Sequence, residues 1–182
     1  LVPTALPSGW YYRPPITYAT NGTVNTTGQT RYMPLYLPTG TLNTIGIRTG
    51  STFSGTGSIR VGLFGTTNGK PANLLVDGGL LSPSASSSSY STTVNLSVSA
   101  GLYWVAFNII SNPATPSYTA TSTTSYNSLL NTYWAGKSGD TNITLDYWNG
   151  WYENADATSG FSNANPTSLT GAVGLLMNLK MV

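Results

Sequence analysis

Apolar residues recur at every second position in several short stretches of this chain, and no stretch longer than about ten residues repeats them every three or four. Ser58 to Phe64 (SIRVGLF) sets Ile59, Val61 and Leu63 on one side and Arg60 and Gly62 on the other. Thr41 to Arg48 (TLNTIGIR) alternates Leu42, then Thr44 or Ile45, then Ile47. Successive side chains leave a strand on opposite faces, so this period predicts half-buried strands. Val94, Leu96 and Val98 alternate toward Ala100-Gly101, and Leu102 to Ile110 (LYWVAFNII) follows as a nearly unbroken apolar run. A hairpin is expected there, with its second strand central in a sheet. Leu175, Met177, Leu179 and Met181 form the apolar side of a last strand, Tyr118 to Thr121 suggests a further one, and Ser128 to Trp134 fits either a strand or a short helical turn.

Breaks between these stretches carry turn chemistry. Asn68-Gly69 supplies the positive φ angles of a tight turn, and Pro71 just after it is expected to forbid ladder pairing at that point. Asp77-Gly78-Gly79 predicts a bulge or bend between two strand pieces. Ser82 to Ser89 (SPSASSSS) is too short for a domain linker and is expected to be an exposed loop. Eight or nine short strands, spaced by about 8 to 15 residues, predict an all-β fold, an antiparallel two-sheet β-sandwich. Jelly-roll topology is preferred, an immunoglobulin-like sandwich being the other arrangement this pattern permits. The 182 residues suit one domain, 1–182.

Composition removes most catalytic chemistry. There is no Cys and no His, so thiolate nucleophiles, imidazole bases, structural zinc sites and disulfides have no residues to build on. Charged residues make up 7% of the chain, while Ser (22), Thr (28) and Asn (16) supply a surface of hydroxyls and amides. The seven cations are scattered and form no basic stripe, which argues against nucleic acid as a partner. No run of 18 apolar residues occurs, so membrane insertion by a helix is not expected. The start at Leu1, with neither Met nor a basic-then-apolar leader, is read as the trimmed or ordered part of a longer polypeptide.

Five carboxylates remain: Asp77, Asp140, Asp146, Glu153 and Asp156. A carboxylate pair of the glycosidase kind is the one common hydrolytic scheme left open, but no glycosidase motif accompanies them. Asp140-Thr141-Asn142 lacks the rhythm of acids and the central Gly of a calcium loop, so no metal and no cofactor is expected. Residues 131 to 154 hold Tyr133, Trp134, Tyr147, Trp148, Trp151 and Tyr152 among amides and acids. A sugar ring needs both an apolar face to stack on and planar hydrogen-bonding groups beside it. In an exposed loop, Tyr147, Trp148 and Trp151 would offer the stacking faces, and Asp146, Asn149 and Glu153 would take the hydroxyl hydrogen bonds. The same aromatics would equally serve as core or as a subunit interface. Tyr103, Trp104 and Phe107 are expected to pack in the core, and Arg31 and Arg48, near strand ends, to be solvated or paired with backbone carbonyls.

Gly9-Trp10-Tyr11-Tyr12-Arg13-Pro14-Pro15, Arg31-Tyr32-Met33-Pro34-Leu35-Tyr36-Leu37-Pro38, Thr41 to Arg48, Ser58 to Phe64, Gly69-Lys70-Pro71 before Leu74 to Gly79, and Leu96 to Phe107 occur in an order that resembles the jelly-roll domain at the C-terminal ends of tail-fibre, tailspike and other virion surface proteins of tailed bacteriophages. The resemblance covers roughly residues 9 to 110; beyond, Gly150-Trp151 and Gly160-Phe161 echo its pattern within a stretch richer in Tyr and Trp. It implies a virion-surface location, on a tail fibre or the capsid exterior, and a homotrimer among other virion proteins. It carries no active-site residues. The expected function is binding of host surface glycan without catalysis; a structural capsid-decoration or capsid-fibre role is the alternative, and a polysaccharide depolymerase a third.

Overall fold

A computed structural model describes residues 11–12, 19–121, 150–166, 168–170, 175 and 177–182. Among them are twelve strands and no helix: β1 (Tyr11–Tyr12), β2 (Ala19–Thr23), β3 (Thr30–Leu37), β4 (Gly40–Arg48), β5 (Ser58–Thr67), β6 (Lys70–Leu81), β7 (Ser89–Val98), β8 (Gly101–Ser111), β9 (Ser117–Thr121), β10 (Gly150–Glu153), β11 (Ser168–Thr170) and β12 (Asn178–Met181). All pair antiparallel, in sheets of order β1-β12-β4-β7, β11-β10-β3-β8-β5-β6, and β2-β9. The all-β expectation holds.

One core joins the two larger sheets. Met33, Leu35 and Leu37 of β3, Ile59, Val61 and Leu63 of β5, and Val105, Phe107 and Ile109 of β8 meet Leu42, Ile45 and Ile47 of β4, with Leu175, Met177, Leu179 and Met181 from the last strand region. The inward sides of β5 and of the last strand are those that the alternation predicts. In β4 the choice between Thr44 and Ile45 is resolved by a register shift between Leu42 and Thr44, which sends Ile45 inward. A bulge inserts one residue and so breaks the strict period of two.

The expected hairpin does not form. β8 is central, between β3 and β5, but β7 lies in the other sheet beside β4. Residues 38–39 and 99–100 turn two corners side by side, so that Leu37 opposite Gly101 and Gly40 opposite Val98 continue one register from sheet to sheet. Thr39 Oγ1 accepts from Ala100 N at 2.9 Å and fastens the two corners. β3–β4 and β7–β8 are thus two arms of one bent ribbon. Alternation reports which face is buried and not which strand is the neighbour, so the pattern could not reveal this.

The turn chemistry was read correctly at two places. Asn68 (φ 51°) and Gly69 (φ 74°) form the tight β5–β6 turn. The register shift at Gly62 leaves Gly78 unpaired between Asp77 and Gly79, as a bulge. Pro71, by contrast, stands opposite Thr66 in the ladder; β6 is an edge strand, where proline's missing N–H is tolerated.

The outward side of the six-stranded sheet is not bare. Tyr32, Phe64, Trp104 and Ala106 form a second buried cluster, covered by Trp151, Phe161 and Ala164. Phe161 lies directly on Gly62, whose added Cβ would sit 2.9 Å from the ring. Residues 150–166 are therefore a cover on the sheet, and Arg60 and Gly62, expected to face outward, are enclosed beneath it. Polar staples hold the cover. Asn108 Nδ2 donates to the Ala155 carbonyl (2.7 Å), Leu74 N to Asn163 Oδ1 (2.9 Å), and Ala164 N to the Ala72 carbonyl (2.7 Å).

Candidate functional site

Of the six residues expected to contact glycan, Asp146, Tyr147, Trp148 and Asn149 lie outside the described residues, as do Asp140 and residues 128–134. Trp151 and Glu153 are described, and their setting is a strand rather than an exposed loop. Trp151 stands opposite Tyr32 on one side and Leu169 on the other. Its indole is half-buried against the Tyr32, Phe64 and Trp104 cluster, with Lys70 Nζ 4.6 Å from the ring centroid, a cation–π arrangement. Glu153 is 7% exposed. Its Oε1 accepts from the Tyr32 hydroxyl and its Oε2 from Asn165 N at 2.7 Å. The carboxylate expected to meet sugar hydroxyls is turned inward, because an acid that is buried needs donors within the chain.

The other described acids also accept hydrogen bonds within the chain, Asp77 part-buried and Asp156 exposed. Asp77 Oδ2 pairs with Arg60 (2.7 Å) and accepts from Phe161 N (3.2 Å), while Oδ1 accepts from Gly79 N (2.9 Å). It holds the bulge and the cover together. Asp156 Oδ1 accepts from the hydroxyl (2.6 Å) and N–H (2.9 Å) of Thr158, which keep its pKa below the usual carboxylate range. No group of three acids among the described residues is placed to hold a metal ion. Arg31 is buried rather than solvated, donating to Gln29 Oε1 (2.8 Å) and Thr26 Oγ1 (3.2 Å), and burial lowers its pKa. Arg48 is exposed and reaches the Ser89 hydroxyl at 3.5 Å.

A cleft of ≈ 430 Å³ opens elsewhere, where the edge strands β6 and β7 face each other across the mouth of the sandwich. It is open to solvent along its rim rather than enclosed. Leu75, Leu96 and Tyr103, all half-buried against the core, give it apolar surface, and Asn73, Ser97 and Ser99 give it amide and hydroxyl groups. None of its lining residues is charged. The Tyr103 hydroxyl donates to the Ser99 carbonyl at 2.8 Å, which fixes the ring, and Thr66 Oγ1 donates to the Leu102 carbonyl at 2.7 Å. Asn73 is exposed, and its amide has no hydrogen-bond partner among the described residues. Its Oδ1 lies over Gly65, where an added Cβ would sit 2.5 Å from it.

Sequence reasoning missed this cleft. Trp104 and Phe107 are buried as expected, but Tyr103, grouped with them, is half-exposed. Its partners come from three strands whose proximity depends on which sheet edges face each other. Gly65 in a run of larger residues was the one local sign of a close approach. Compared with known protein families, curated proteins and solved structures, the chain matches none of them.

Proposed function

We propose that this chain is a jelly-roll domain of a bacteriophage virion surface protein, at the tip of a tail fibre or tailspike, and that it binds host surface glycan without covalent chemistry. The strand order β1-β12-β4-β7 and, within the six-stranded sheet, the order β3-β8-β5-β6, linked by the bent ribbon, support the jelly-roll reading, in which two sheets are wrapped from one folded ribbon. The virion location rests on the sequence resemblance. Non-catalytic action is supported by one observation: of the three described acids, Asp77 and Glu153 spend both carboxylate oxygens on partners in their own chain, and Asp156 one of its two. A carboxylate that already accepts two internal hydrogen bonds is a poor proton donor or nucleophile for a glycosidic bond.

The intact protein is expected to adsorb to host cells and to be displaced by their purified surface polysaccharide, with no oligosaccharide released. Oligosaccharide accumulating in the supernatant would overturn the non-catalytic reading in favour of a depolymerase. A homotrimer is part of the proposal, and light scattering that finds a stable monomer at tens of micromolar would count against it. The half-buried Trp151, enclosed between the core and Lys70, favours a second reading in which the aromatic segment is structural and the domain decorates a capsid or capsid fibre. Imaging the protein on intact particles separates the two.

A further inference from the structure

We propose that the cleft between β6 and β7 is a subsite for an uncharged sugar residue, with Tyr103, Leu75 and Leu96 as its apolar floor and Asn73 as the hydrogen-bonding selector. This rests on the glycan-binding reading above and assigns it a place and a ligand class. A pyranose has C–H patches that stack on a ring or on leucines, and hydroxyls on its edge that need paired donors and acceptors. Both kinds of surface are present here. The Tyr103 ring is held in place by its own hydroxyl, so little side-chain order has to be gained on binding. The Asn73 amide, one acceptor and two donors, is exposed at the rim with its hydrogen bonds unspent among the described residues.

Charge decides the ligand class. A sialic acid, a uronic acid or a phosphorylated sugar would bring an anion to a cleft whose lining offers it no cation, only neutral hydroxyls and one amide. Such an ion finds no charged partner there for whatever water it gives up. Hexoses, deoxyhexoses and N-acetylhexosamines carry no such penalty. Gly65 is the positioning residue: a Cβ added there meets the Asn73 amide, the flexible end of that side chain, and no strand backbone within its three nearest contacts.

The test is titration of the intact protein with a panel of neutral mono- and disaccharides of those three kinds, with sialyllactose and glucuronic acid as the anionic arm. Binding is followed through the methyl resonances of Leu75 and Leu96. At least one neutral sugar is expected to shift these methyls at millimolar concentration, both anions to leave them unmoved, and N73A to weaken binding about five- to tenfold, the loss of one or two neutral hydrogen bonds. G65A should weaken it similarly while its circular dichroism and melting temperature stay close to those of the parent. A sugar that binds without moving the methyls, and equally well to N73A, overturns the cleft assignment and leaves glycan binding standing. An anionic sugar that binds as tightly as the neutral ones overturns the selectivity. Failure of the panel to move the methyls while purified host polysaccharide still binds also overturns the cleft, and failure of every glycan overturns both readings.

Discussion

The Tyr32 hydroxyl of β3 donates to Glu153 of β10, and both side chains are buried, at 1% and 7% exposure. The contact joins the body of the sheet to the start of its cover. Tyr32→Phe leaves one oxygen of a buried carboxylate without its donor, at an expected cost of about 1.5–3 kcal/mol. This should appear as a lower urea midpoint with an unchanged slope. A shift equivalent to under about 0.5 kcal/mol would show that the bond contributes little.

Stability is expected to be flat from about pH 5 to 9 and to fall on the alkaline side. Tyr118 is pushed up to about 12 by burial, and Tyr32 is raised by burial first and then by the hydrogen bond and charge of Glu153. Both keep their protons in the folded state above pH 10, where the unfolded chain releases them. The stability they contribute is therefore full below about pH 10 and is lost as pH rises, for Tyr118 through about 12. Each such tyrosine gives a slope of about 1.4 kcal/mol per pH unit. On the acid side Asp156, whose pKa is lowered, contributes stability that is lost as pH falls, but it is exposed and its effect is small. Tyr118→Phe also removes a buried hydroxyl that has no partner among the described residues, so it should leave neutral-pH stability unchanged or higher and roughly halve the alkaline slope. Thermal melts of both proteins at pH 7, 10 and 11 decide this.

Gly150→Ala is expected to detach β10. Gly150 has φ 141°, and a Cβ there would run into the Tyr32 carbonyl, which is backbone and cannot swing aside. A loss of at least about 3 kcal/mol follows from strain and lost pairing together. Trp151 should become more exposed, visible as a red-shifted emission. An unchanged spectrum and stability would mean that β10 does not pack as described.

Asp77→Asn keeps the shape of the hub but removes its charge beside Arg60, whose side chain is only 12% exposed. An uncompensated guanidinium then remains beneath the cover. The expected cost is about 1–3 kcal/mol, with faster hydrogen exchange confined to residues 157–161 and the β5–β6 bulge. Equal protection in both proteins would assign the anchoring to Asn163 and Ala164 instead.

Much of the fold was legible. Ile59, Val61 and Leu63, the last strand, the Asn68-Gly69 turn and the Asp77 bulge follow from local period and turn chemistry. The course of β7 was not legible, because Val94 and Val98 alternate in the same way whether their strand pairs with β8 or crosses to β4. Nor was the cover. Arg60 and Gly62 read as a solvent face, and only a segment some hundred residues later makes that face a second interior. The cleft depended on the same long-range information, since Asn73, Leu96 and Tyr103 are ordinary strand residues until two sheet edges meet.

The cover also sets an order of events in folding. Its staples reach far back along the chain, 121 residues from Glu153 to Tyr32, 125 from Ala155 to Thr30 and 89 from Asn163 to Leu74. Contacts that close such long loops are reached late, after the nearer pairings have removed most of the chain's freedom. The β5–β6 turn, with two residues between its strands, is the opposite case. A refolding chain is thus expected to pass through a state in which β3 to β8 have paired while the outer aromatic face, Tyr32, Phe64 and Trp104, stands open until residues 150–166 arrive to close it, and in which β12, 134 residues from Leu179 to Ile45, has yet to join β4.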